Sequence, residues 1–188
     1  SKYMQGFGLV VTGDVAIRHD ATPGMQPGRY AHILNNTIRN SGNYGVYATT
    51  PSTAVLLRNN ACSIAPLGCF LWGPGSISPA SSHNFASDAT GTIASPAGGG
   101  LNAVPASGAG GFNFVDGPGG DLHLQASSVA IDGGAGLGAL MDGIDIDAQV
   151  RAGTWDVGAD EFGATTAVTL MSFEAAPGDG EVALAWRT

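Results

Sequence analysis

The sequence predicts an all-β protein built as a solenoid, a stack of similar short coils, and three observations lead to this prediction. Glycine occupies 30 and proline 10 of the 188 positions, well above their combined usual share of about 12 %. Apolar residues still make up 44 % of the chain, so a core is expected, and no segment keeps the 3.6-residue apolar period of a helix. The third observation is a repeat.

The repeat consists of asparagines that recur at a constant interval. Asn36, Asn60 and Asn84 are 24 residues apart. Isoleucine or leucine lies two to four residues before each of the first two. A coil of this length cannot bury its own apolar face, but stacked coils bury a continuous core. Asparagine suits the same corner of each coil, because it tolerates left-handed backbone and its amide can bond to copies above and below.

The N-terminal part shows weaker echoes of the same coils. Residues 17–20 resemble residues 57–60, and residues 8–10 resemble residues 45–47. These echoes do not keep the 24-residue interval. An irregular loop is therefore expected between Ala21 and Tyr30, where two Pro-Gly pairs favour turns.

The second half of the chain changes character. Residues 88–120 are rich in glycine, serine and proline, which predicts surface loops with one short strand at 112–115. Residues 121–124 alternate polar and apolar side chains, as in a half-buried strand. Residues 168–175 and 181–186 alternate around a Pro-Gly turn and predict a hairpin, which is marginal alone and must pack on the solenoid, pair with another chain or belong to a further domain.

Charge excludes two classes of partner. The net charge is −8, and Lys2 is the only lysine, so a phosphate-tracking nucleic-acid surface is not expected. Binding to an anionic membrane surface is disfavoured for the same reason. No apolar stretch approaches the ~18 to 20 residues of a membrane span, so no membrane insertion is expected. No basic-then-apolar signal peptide opens the chain, which starts at Ser1 without a methionine, and this predicts a mature or excised piece.

The two cysteines, Cys62 and Cys69, are seven residues apart. They cannot form a tetrahedral zinc site by themselves. A short disulfide loop is favoured, because acidity, scarce lysine and abundant Asn, Ser and Thr fit a secreted chain. Two buried free thiols are the alternative.

An acidic cluster near the C-terminal end is the strongest polar feature. Asp142, Asp145 and Asp147 could supply hard oxygen ligands for calcium, although their spacing is not that of an EF-hand loop. The alternative is structural and is favoured: Arg151 pairs with one or two carboxylates of the cluster, which also includes Asp156, Asp160 and Glu161, and so closes the end of the solenoid.

Candidate ligand-binding residues lie earlier in the chain. Tyr44 and Tyr47 are placed for stacking on sugars if their coil faces solvent, and Tyr47 is expected to point outward because it alternates with Val46. Arg58 is a third candidate, with solvated surface arginine as the plainer interpretation. Trp72 is expected in the core.

The chain also resembles a known family. Residues 69–78 and 82–85 resemble the last coils of bacterial secreted right-handed parallel β-helix proteins of the pectate-lyase-like superfamily. Residues 121–134, 145–147, 151 and 156–162 resemble the terminal region of the choice-of-anchor type. Val129 and Ala148 depart from the pattern, since the family usually has proline and glycine there. Residues 168–186 resemble the first two strands of a fibronectin type III-like domain.

This resemblance implies a right-handed parallel β-helix over residues 1–163, with a closing region, and an incomplete fibronectin-like segment over residues 164–188. It implies a secreted or cell-surface protein that binds or cleaves a polysaccharide or surface glycan. Lyases of the superfamily use calcium-binding aspartates and a basic residue, here to be sought among Arg18, Arg39, Arg58, His19 and His32, so no catalytic residue is assigned. The alternative function is a non-catalytic adhesin or filament subunit that self-assembles through its C-terminal strands.

Overall fold

The structure is a computed structural model, and it confirms the all-β class. It describes residues 2–5, 8–10, 15–19, 31–48, 55–73, 77–141, 143–163, 172–177 and 182–187. The first nine strands are β1 (Lys2–Gln5), β2 (Gly8–Val10), β3 (Val15–His19), β4 (Ala31–Leu34), β5 (Thr37–Arg39), β6 (Tyr44–Ala48), β7 (Val55–Arg58), β8 (Ala61–Ser63) and β9 (Gly68–Trp72). The others are β10 (Phe85–Ala86), β11 (Phe114–Asp116), β12 (Asp121–Leu124), β13 (Ser172–Pro177) and β14 (Val182–Arg187). The only helix in the described part is a 3₁₀ turn at Gly138–Leu140.

Three parallel sheets organise the N-terminal half, and up to β9 each contains every third strand. Their orders are β1-β4-β7, β2-β5-β8-β10 and β3-β6-β9. Ala31 pairs with Val55 and Tyr44 with Gly68, which are 24 positions apart, the interval predicted from the asparagines. Lys2 pairs with Ala31, 29 positions away. The five additional residues fall between β3 and β4, where the sequence predicts an irregular loop.

The N-terminal echoes were matched to the wrong strands. Gly8 pairs with Thr37 rather than with residue 45, and Ile17 pairs with Val46 rather than with residue 57. Short strands of valine, isoleucine and leucine resemble one another, so three or four residues do not identify the correct partner.

The core lies between the sheets, where one face of each strand is apolar. Its largest buried side chains include Ile33, Val46, Leu57 and Phe70, all at most 2 % exposed. Trp72 is only partly buried and packs against this cluster, so the prediction of a core tryptophan holds only in part.

An asparagine ladder connects residues 24 positions apart, as predicted. Asn36 Nδ2 donates to Asn60 Oδ1 at 3.0 Å, and Asn60 Nδ2 donates to Asn84 Oδ1 at 2.8 Å. All three residues are completely buried. The left-handed backbone, however, belongs to the residue before each ladder asparagine. Asn35 has a φ of 51° and Asn59 a φ of 54°. The sequence assigned the left-handed backbone and the ladder hydrogen bonds to one asparagine, whereas two neighbouring residues divide them.

The remaining strands are antiparallel pairs. β12 lies at 121–124 and alternates half-buried and buried residues, as predicted, and it pairs with β11. β11 begins at Phe114 rather than at residue 112, because Asn113 has a left-handed φ of 46° that interrupts extended backbone. β13 and β14 form the predicted hairpin.

Residues 130–163, here called the closing segment, pack against the parallel sheets beside the asparagine ladder. Gly158 N donates to Asn59 O at 2.8 Å, and Ala159 N donates to Thr37 Oγ1 at 2.9 Å. Asn59 also exchanges two side-chain hydrogen bonds with the backbone of Ala135, at 2.7 and 3.0 Å. The repeating half and the closing segment are thus joined by buried polar contacts.

Candidate functional site

Two tyrosines form an aromatic pair on β6, the middle strand of its sheet. Val46 and Ala48 point into the core, whereas Tyr44 and Tyr47 are half-buried. The ring centroids are 5.3 Å apart and the planes are inclined by 49°. Gly68, the partner of Tyr44 in the next strand, has a φ of 145°, and a Cβ atom there would be in ordinary contact with the Tyr44 ring at 3.8 Å.

Arg58 does not join the tyrosines. It ends β7, in another sheet, and its Nε donates to Ala80 O at 3.0 Å. Its charge acts on His83, whose pKa is lowered by burial and then by Arg58. The three residues predicted to bind substrate therefore lie on two different sheets.

Two of the other basic candidates, Arg39 and His32, have described side chains. Arg39 Nη1 donates to Gly117 O at 2.9 Å, and His32 has a pKa lowered mainly by burial. The side chains of Arg18 and His19 lie outside the described part of the structure.

Arg151 is the centre of a buried network in the closing segment. It is 5 % exposed, and its Nη1 donates to Glu161 Oε2 at 3.1 Å. Its other N–H groups donate to main-chain carbonyl oxygens, including that of Gly158 at 3.0 Å. Burial lowers the pKa of Arg151 and raises that of Glu161, so desolvation outweighs their mutual attraction in both groups. Such a buried, fully bonded guanidinium holds the backbone in place.

Asp156 serves the same network. Its Oδ1 accepts a hydrogen bond from Asp132 N at 2.7 Å, and its Oδ2 accepts one from Phe162 N at 2.6 Å. Burial raises the pKa of Asp156 although these bonds oppose the shift. Arg151, Asp156 and Glu161 thus have the internal position expected of closing residues.

The three aspartates predicted to bind calcium have different surroundings. Asp142 lies outside the described residues. Asp145 Oδ1 accepts hydrogen bonds from Asp147 N at 3.0 Å and Gln149 N at 2.8 Å, so this oxygen closes a turn. Asp147 instead points to His123, with Oδ2 3.1 Å from the Nε2 atom.

His123, Asp147, Gln149 and Asp160 line one opening, here called the acidic cleft, with a volume of about 230 Å³. Asp121 contacts the other ring nitrogen of His123, and hydrogen bonding to Asp121 raises the pKa of His123 despite partial burial. Asp160 Oδ2 accepts a hydrogen bond from Leu124 N at 2.7 Å, while burial raises its pKa.

His123 was not among the predicted site residues, because the sequence analysis placed it only in a half-buried strand. A usable signal was present in β12. Alternation places Asp121 and His123 on the same face of the strand, away from the buried Leu122 and Leu124. A carboxylate two residues before a histidine on a half-exposed face predicts an oriented imidazole. The proximity of Asp147 required the fold.

The predicted disulfide is not formed in the structure. Cys62 and Cys69 are buried free thiols. Cys69 Sγ is 3.0 Å from the carbonyl oxygen of Cys62 and donates to it, so its sulfur is engaged by the backbone. Burial raises the pKa of Cys62 well above its usual value, which makes this thiol unreactive.

Comparison with protein-family models, with curated proteins and with solved structures finds no match. Among the described residues, no helix has the length and apolar character needed to cross a bilayer.

Proposed function

We propose that this chain is a glycan-binding module whose three parallel sheets are the faces of one right-handed parallel β-helix. The support for the architecture is the pairing of every third strand at a 24-residue offset. A constant offset in three sheets is what successive coils of a solenoid produce. The right hand follows from the strong preference of parallel crossover connections.

The observation that carries the glycan-binding function is the tyrosine pair of β6. Aromatic rings present large, rigid apolar faces at little entropic cost, and sugar rings have apolar faces of matching size. Tyr44 and Tyr47 lie on the middle strand of a sheet that is anchored by the buried Val46. The net charge of −8 disfavours polyanionic ligands, so the proposed ligand is a neutral polysaccharide.

Binding without cleavage is favoured by where the basic groups lie. Arg39 and Arg58 donate to main-chain carbonyls, and Arg151 is buried. A uronate lyase needs a basic residue that reaches the substrate, whereas these three arginines are engaged by main-chain carbonyls or buried.

Affinity electrophoresis against neutral and uronate-containing polysaccharides tests this proposal. Retardation by a neutral polysaccharide is expected, and Tyr47→Ala should weaken it by at least about fivefold, since aromatic contacts contribute about 1 kcal/mol or more. Phe162→Ala is the matched control, because Phe162 is an exposed aromatic residue of the closing segment. Equal losses in both variants, or no retardation by any polysaccharide, would refute the proposal.

A second function, self-assembly, is favoured by the hairpin. Within the described part, β13 and β14 pair only with each other, and a two-stranded sheet with free edges invites pairing with another chain. Light scattering on the full chain and on a version ending at Gly163 tests this. Large assemblies that disappear on truncation support assembly, and monomers in both cases contradict it.

A further inference from the structure

The acidic cleft combines groups from two parts of the chain. His123 belongs to β12. Asp147 and Gln149, in the turn closed by Asp145, and Asp160 belong to the closing segment. His123, Asp147 and Asp160 each offer one possible ligand atom, and these three atoms lie within 4.8 Å of one another. In a tetrahedral site with metal–ligand distances of about 2.1 Å, ligand atoms are about 3.4 Å apart, and the 3.1 Å separation of His123 Nε2 and Asp147 Oδ2 is close to this value.

The imidazole is oriented as in metal sites. Asp121 engages Nδ1 of His123, which leaves Nε2 directed at Asp147. A carboxylate on the far nitrogen of a ligating histidine fixes the ring and its tautomer, and it increases the basicity of the ligating nitrogen. The Asp160 carboxylate is also held in a fixed orientation, because its Oδ2 accepts a hydrogen bond from Leu124 N.

Gln149 adds a polar group beside these three residues. It lines the cleft, and its side-chain oxygen Oε1 is buried without a hydrogen-bond partner. An unsatisfied buried acceptor costs about 1–3 kcal/mol, and buried polar groups in folded proteins are nearly always paired. A cation in the cleft, contacted directly or through its bound water, would satisfy this oxygen.

We propose that the acidic cleft binds one divalent transition-metal ion of the zinc class, with His123, Asp147 and Asp160 as ligands and Gln149 as a further oxygen donor. The imidazole nitrogen selects against calcium, whose ligands are oxygens, whereas Zn²⁺ accepts histidine and carboxylate together. The ion would tie β12 to the closing segment. This site shares no residue with the tyrosine pair, so it stands or falls separately from glycan binding.

Isothermal titration of the full chain with ZnCl₂ and, separately, CaCl₂, after treatment with a chelator, tests the proposal. One Zn²⁺ per chain is expected, with calcium binding at least about 100-fold weaker because it disfavours nitrogen ligands. Asp147→Asn and His123→Gln should each weaken zinc binding by about 10- to 100-fold or more. Asp132→Asn and His32→Gln are matched controls outside the cleft, and both should bind zinc like the unchanged chain.

Circular dichroism of each variant shows whether it is folded, and Asp147→Asn is the decisive variant because Asp147 is exposed. Three outcomes would overturn the proposal. They are no zinc binding by the unchanged chain up to about 1 mM, a weak limit for any specific site; zinc binding that a folded Asp147→Asn variant retains; and calcium binding as tight as that of zinc.

Discussion

Ile64 has a backbone conformation that β-branched residues rarely adopt, with φ at 59°. Asn40, 24 positions earlier, has φ at 62°, and asparagine tolerates this region because its short amide bonds locally. The side chain of Ile64 is 40 % exposed, so it contributes little packing. Ile64 therefore adopts a backbone conformation that its side chain disfavours.

We expect Ile64→Asn to increase the free energy of unfolding by about 1 kcal/mol, the approximate cost of left-handed backbone for an ordinary residue. Urea denaturation measures it. Ile93→Asn is the control, since Ile93 is also exposed but has no left-handed φ, and it should not gain stability. Equal effects in both variants would show that lost surface hydrophobicity, rather than backbone strain, is the cause.

The two cysteines give a second prediction at this scale. Both are completely buried and unpaired, so Ellman's reagent should find no reactive thiol in the native chain and two in guanidinium without reductant. If unfolding without reductant releases no thiol, the cysteines form the disulfide that their spacing suggested and the structure lacks.

Elements differ in how far the sequence predicts them. β12 could be predicted because alternation of polar and apolar residues is a local property. The parallel sheets could be predicted only as a period, since parallel partners are 24 or 29 residues apart and local pattern does not specify the pairing. The cleft could not be predicted, because Asp147 and Asp160 reach His123 only through the packing of the closing segment.

The asparagine ladder joins successive 24-residue repeats of the parallel sheets. Asn60 Oδ1 accepts from Asn36 Nδ2, and Asn60 Nδ2 donates to Asn84 Oδ1 and Ile33 O. Removing the amide leaves several buried polar groups without a partner, each at about 1–3 kcal/mol. We therefore expect Asn60→Ala to lower the free energy of unfolding by about 3–5 kcal/mol, as a broken buried network does.

Asn102→Ala is the matched control for the ladder. Asn102 also makes side-chain hydrogen bonds, to Thr92, but it is exposed, so its loss should cost about 1 kcal/mol or less. Both variants are compared by urea denaturation. If both variants lose a similar small amount of unfolding free energy, water replaces the hydrogen bonds of the ladder, and the ladder is not shielded from solvent.

At the scale of the whole molecule, the question is whether the closing segment and the three parallel sheets unfold together. Gly158 lies where the two meet, with φ at 111°, and a Cβ there would clash with Thr37 Oγ1. Gly153 also has a left-handed φ, at 69°, but a Cβ there would meet nothing within 4 Å. The two glycines therefore separate backbone strain from the contact itself.

We expect Gly153→Ala to cost about 1 kcal/mol, from the backbone alone, and Gly158→Ala about 2–4 kcal/mol, because steric overlap adds to the strain. Hydrogen exchange then reports where the loss is felt. Because the closing segment bonds to Thr37 and Asn59, amides of β4 to β8 should lose as much protection in Gly158→Ala as those of residues 130–161. If β4 to β8 keep their full protection while only residues 130–161 exchange faster, the closing segment is a separate cooperative unit. The contacts with Thr37 and Asn59 would then not couple the unfolding of the closing segment to that of the parallel sheets.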